Sequence, residues 1–80
     1  MEDPNPIIER LVEAWCDRRE YRALSIVLPA WSSHNGLTDG WEHLRDNLKH
    51  AYAMCPHLPA DERDTIKRVY VDIDYALRNR

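Results

Sequence analysis

Cys16, Cys55 and His57 are the side chains of this sequence best suited to hold a metal or to do thiol chemistry. Cys16 closes the first amphipathic segment and Cys55 the third, so an up-down bundle brings both to one end, with His57 close by. A structural zinc site wants four converging thiolate or imidazole ligands, and a redox pair is usually Cys-x-x-Cys. The sequence offers neither pattern. Cys55 also falls on an apolar stripe, where a free cysteine packs as a small hydrophobe. His43 and His50 are seven apart, roughly 10 Å along a helix, too far to share one ion. Asp46 and His50 have the i, i+4 spacing, but two ligands do not make a site.

Hydrolytic chemistry fares no better. Ser32, Ser33 and His34 adjoin, yet a triad is a convergence in space and not a run in sequence. The strained elbow that exposes a nucleophilic serine needs a strand before a helix, and no strand pattern is present. Asp72 and Asp74 point to different sides of a helix, and no glycine-rich loop exists to cradle a phosphate. A bundle this small lacks volume for a pocket of several hundred cubic ångströms. The expectation is a non-enzymatic protein with no cofactor, no metal and no small-molecule substrate.

The bulk properties fit one core. Eighty residues make a single domain, 1–80, that buries about 60% of the surface its unfolded chain exposes. Two Cys are too few for a disulfide framework, and two Gly are too few for the tight turns of an all-β chain. The net charge of −3 comes entirely from residues 1–20, where six acids face three arginines. Residues 21–40, 41–60 and 61–80 are each neutral. No block carries the basic footprint of a nucleic-acid binder. The opening is acidic and polar, unlike a signal peptide, and the longest apolar run, at 26–31, is far short of a membrane span. A cytoplasmic protein without membrane contact is expected.

Helical wheels supply the elements. Ile8, Leu11, Val12 and Trp15 form one stripe, flanked by Ile7, with Asn5 and Pro6 as cap and first residue. Leu24, Val27, Leu28 and Trp31 form a second at i, i+3, i+4, i+7. Were the helix unbroken, these two stripes would point roughly 170° apart, so the chain must bend at 18–20 for both to reach one core. Pro29 implies a kink or a separate turn. Residues 32–36 read as a loop. Thr38 or Asp39 caps a third helix, Asp39 and Glu42 having capping-box spacing. Its stripe is Trp41, Leu44, Leu48, Ala51, Tyr52 and Cys55. After Pro56 and Pro59, the fourth carries Ile66, Val69, Tyr70, Ile73 and Leu77. The spacing predicts an all-α, four-helix up-down bundle with helices near 6–18, 20–33, 39–55 and 60–78. Its core should include Leu11, Trp15, Leu24, Leu28, Trp41, Leu48, Ile66, Tyr70 and Ile73.

Two functional readings remain. Val71 and Tyr75 sit i, i+4 on the fourth helix, some 150° or more from its core centre. Such a pair on an outer face can anchor a partner helix or a second copy of the chain. Arg68 and Asp72 flank it as a polar rim. The leading expectation is a small protein-interaction or regulatory module that binds a protein partner, or itself, through this face. Ile26 is similarly off-face on the second helix. The alternative is a nucleic-acid-binding regulator that reads bases with Arg45, Asn47 and Lys49 on the helix at 39–55. Glu42 and Asp46 share that helix and leave it neutral, which argues against phosphate binding.

Overall fold

The computed structural model describes residues 5–32 and 38–79, with backbone alone at 32, 38 and 39. Four helices follow one another: α1 (Asn5–Arg18), α2 (Tyr21–Ser32), α3 (Thr38–Met54) and α4 (Ala60–Arg78). Each bound lies within one or two residues of its expected position, and no strand occurs among the described residues. The loop expected at 32–36, apart from its first residue, and the capping side chains of Thr38 and Asp39 lie outside the described residues.

The chain reverses between α1 and α2 through a left-handed residue. Arg19 has φ 57°. The Arg19 amide donates to the Cys16 carbonyl at 3.2 Å, and the Glu20 amide reaches back to the Trp15 carbonyl at 2.7 Å. These two bonds define a Schellman stop, whose left-handed position is normally glycine. Glu20 then begins the next helix, its side chain accepting from the Ala23 amide at 3.3 Å. At the other long connection Pro56 and Pro59 end α3 and start α4, and Leu58 between them is buried. Asp61 and Glu62 occupy the first turn of α4 and Arg78 the last, as the helix dipole favours.

Polar contacts between helix ends establish an up-down-up-down arrangement. The start of α2 meets the end of α3 where Glu20 binds His57. Arg45, early in α3, pairs with Asp74, late in α4, and Arg63, early in α4, donates to the Tyr52 carbonyl late in α3. Arg18 at the end of α1 pairs with Glu62 at the start of α4. Neighbouring helices are therefore antiparallel. Closest packing is between α3 and α4, then between α2 and α3 and between α1 and α2, while α1 stands off from α4.

The core draws on all four helices, with Trp15, Ile8, Leu44, Leu48, Ile66, Ile73 and Val27 fully enclosed. Leu28, expected inside, is 37% exposed. The inward face of α2 is carried by Ala23, Leu24, Val27 and Ala30, so the helix is rotated away from Leu28. Ala23 and Ala30, seven apart, let α2 lie close against its neighbours, and the same rotation turns Ile26 inward to pack on the core. Trp41 and Tyr70 are partly buried at its edge. The Tyr70 ring meets Tyr52 edge-on at 6.0 Å and lies under the Lys49 ammonium at 5.8 Å. Pro29 is accommodated within α2 on an exposed side, and the helix runs through it. No described helix is long and apolar enough to cross a membrane.

Replacing Leu48 or Ile73 by Ala should cost about 2–5 kcal/mol in urea unfolding, since both are sealed in the core. Arg19→Gly should gain about 1 kcal/mol by relieving a left-handed residue that carries a Cβ. A loss of stability in that variant would show that the Arg19 side chain contributes more than its backbone costs.

Candidate functional site

A peripheral helix buries one side, and α4 gives Ile66, Val69 and Ile73 to the core. Val71 and Tyr75 stand one turn apart on the opposite side, 48% and 70% exposed. Arg68 and Asp72 are exposed too, and on the helical wheel they fall between the apolar pair and α1. Besides bordering the pair, they form the lip of a groove of about 660 Å3 between α1 and α4. Ile7, Leu11 and Ala14 line its α1 wall, and Thr65 and Val69 its α4 wall. Ala14 and Thr65 are too short to fill the gap between two helices that stand apart. Arg10 lines it from the α1 side and Arg68 from the α4 side.

One end of the groove is clamped shut. The Trp15 indole Nε1 donates to Glu62 Oε1 at 2.9 Å, and Arg18 donates to both Glu62 oxygens at 2.6 and 2.9 Å. The Arg18 hydrogen bonds hold the Glu62 carboxyl below its ordinary value; burial opposes them and the Trp15 indole assists. Farther along, Arg10, Arg68 and Asp72 have no hydrogen-bond or ion-pair partner among the described residues. These three charges, with the Asp61 carboxylate near the clamped end, border an apolar floor, and Tyr75 and Val71 lie outside the α4 lip.

The other sequence candidates are occupied elsewhere or apart. Cys16 is exposed and Cys55 buried, both as free thiols. Burial, with Glu20 adding to it, pushes the Cys55 thiol above its ordinary value, which suits a packed thiol rather than a reactive thiolate. His57 Nε2 lies 2.7 Å from Glu20 Oε1 and ties α2 to the connection between α3 and α4. Burial acts to raise the Glu20 carboxyl, but His57 and the Ala23 amide outweigh it, and the carboxyl ends below its ordinary range. No three His, Cys, Asp or Glu side chains gather as a metal set among the described residues. His43 and His50 are exposed on α3. Ser33, His34 and the Ser32 side chain lie outside the described residues.

The three base-reading candidates of α3 serve the fold. Arg45 spans to Asp46 and Asp74 at 3.0 Å each, Asn47 donates to the Ile26 carbonyl at 2.7 Å, and Lys49 lies over Tyr70. Two surfaces escaped the sequence reading. One is the groove, several hundred cubic ångströms where a bundle of this size is expected to leave none, because wheels give the face of each helix but not the distance between axes. The other is an apolar patch on α2, where Tyr21, Leu28 and Pro29 stand exposed around a shallow recess of about 530 Å3. Leu28 belongs to it because the alanine-led rotation of α2 carries that leucine out of the core.

Comparison with known protein families, curated proteins and solved structures finds no match. Function must therefore be argued from the chain's own surfaces.

Glu62 and Glu20 both have folded values below the 4.5 of a free carboxyl. The stability they contribute is present above that value and is lost as pH falls through their lower folded values. The urea midpoint should hold from pH 7 to about 5 and decline below about 4.5. Glu62→Gln should lower the midpoint at pH 7 and flatten part of the acid decline. An acid decline as steep as the parent's would show that Glu62 is not among its causes.

Proposed function

We propose that this chain is a small protein-interaction module, acting without chemistry of its own, that binds an amphipathic helix of a protein partner along the outer face of α4. The exposed Val71 and Tyr75 pair is the observation that carries this reading. Isolated exposed apolar residues are common, but a pair one turn apart on a peripheral helix, beside an apolar groove, offers a contiguous strip. A helix laid on that strip buries the pair and brings one edge over the groove lip, where Arg68 and Asp72 await charged partners. Tyr75 is the better anchor, since its ring supplies area and its hydroxyl a hydrogen bond.

The distribution of polar contacts supports the same face. Arg45, Asn47 and Lys49 hold α3 against α2 and α4, which removes the groups a nucleic-acid reader would need. On the outer side of α4, Arg68 and Asp72 keep their charges free among the described residues. Two free thiols, one of them exposed, suit a reducing compartment such as the cytoplasm.

Tyr75→Ala combined with Val71→Ser should leave helicity and melting nearly unchanged, because neither side chain belongs to the core. Binding of the partner, or self-association, should weaken about 30-fold or more, the loss typical of a removed anchor. Sedimentation and pull-down of the double variant beside the parent test this. Unaltered binding would reduce the pair to incidental surface, and a collapse in melting would show it to be core.

A further inference from the structure

We infer that the helix received by the outer face of α4 is α4 of a second copy of this chain, packed antiparallel about a two-fold axis at Val71; the inference rests on the interaction reading above. The outer stripe of α4 reads Asp64, Arg68, Val71, Tyr75, Arg78, at intervals of four, three, four and three residues. This is the spacing of a helix-pairing seam. It is also self-complementary. Turned end for end about Val71, the stripe sets Asp64 opposite Arg78 of the other copy and Arg68 opposite the other Tyr75, each twice, with Val71 against Val71 at the centre.

The charges select that orientation. Parallel pairing would set Asp64 on Asp64, Arg68 on Arg68 and Arg78 on Arg78, all repulsive. Sliding the antiparallel pair by a heptad toward the start of α4 brings Arg68 beside Lys67. The Val71-centred register makes each of its paired contacts attractive and engages all five residues of the stripe. Asp64 and Arg68 have no partner among the described residues. The Arg78 side chain is 76% exposed and, among the described residues, tied only to Asp74 one turn back, a weak intrahelical pair at 3.1 Å. Arg68 over Tyr75 is a cation–π arrangement that this fold already uses, with Arg63 over Tyr52 at 4.3 Å. One helical face per copy is smaller than a standard interface, so the dimer is weak and reversible.

Sedimentation equilibrium of the full chain tests this between roughly 10 μM and 1 mM, where a weak dimer appears. The parent should dimerise in that range. Asp64→Arg and Arg78→Asp should each weaken association about tenfold, and the two together should restore it to within about threefold, since the swap exchanges partners without changing the pattern. A second measurement is independent of helix stability: with Cys16→Ser, the variant Val71→Cys should form a disulfide-linked dimer on mild oxidation, whereas Asp64→Cys should not. A parent that stays monomeric at the upper limit overturns the inference, as does a double charge swap no better than either single one. A parent that dimerises without cross-linking through Val71→Cys overturns the register. A monomer that still captures a foreign helix through Tyr75 refutes self-pairing while leaving the interaction reading intact, so the two fail separately.

Discussion

The bundle depends on the reversal of the chain at residues 18–20. The apolar stripes of α1 and α2 point to opposite faces if the helix continues, so a single core requires the backbone to turn back on itself. Without Gly or Pro there, Arg19 takes the left-handed conformation. Two backbone bonds, to Cys16 and Trp15, hold it. Glu20 then satisfies three needs at one point: its amide completes the stop of α1, its carboxylate caps α2, and the same carboxylate binds His57. The cost of a strained residue is offset by these backbone bonds and by the two contacts of the Glu20 carboxylate.

The same end of the molecule carries the second joint. Trp15 is fully enclosed, and burying an indole leaves its N–H in need of an acceptor. Glu62 supplies it and is neutralised in turn by Arg18. Since α1 stands off from α4 along the rest of its length, this triad fixes the angle between them. The groove follows from a clamp at one end and short side chains, Ala14 and Thr65, beyond it. Regions with fewer packed contacts open at lower free energy, which places the adaptable part of the fold beside the proposed binding face.

A division of labour among polar residues results. Groups that look most chemical in isolation, His57, Arg45 and Asn47, are consumed in holding helices together. Cys55 is consumed by packing. Groups with no evident chemistry, Arg10, Arg68 and Asp72, keep their charges free. Binding capacity lies where the fold has no structural use for polarity, and the α1 and α4 side of the bundle joins such unspent charge to exposed apolar area.

What the sequence determined by itself was the periodic part. The helices, the bend at 18–20, the stripes of α1 and α4 and the outward position of Val71 and Tyr75 all follow from the 3.6-residue repeat, a local property of each segment. What the tertiary structure decided depends on distances between segments. Leu28 left the core because Ala23 and Ala30 allow α2 to pack closely, an advantage of small side chains that a hydrophobicity wheel does not register. Leu58 entered it from a connection that has no period to read. Arg68 and Asp72 became the lip of a groove because Trp15, Arg18 and Glu62 meet across 44 or more residues of chain and set how far α1 stands from α4. Partnership between distant charges is encoded in no single helix, so which of them remain free for binding appears only once the helices are packed.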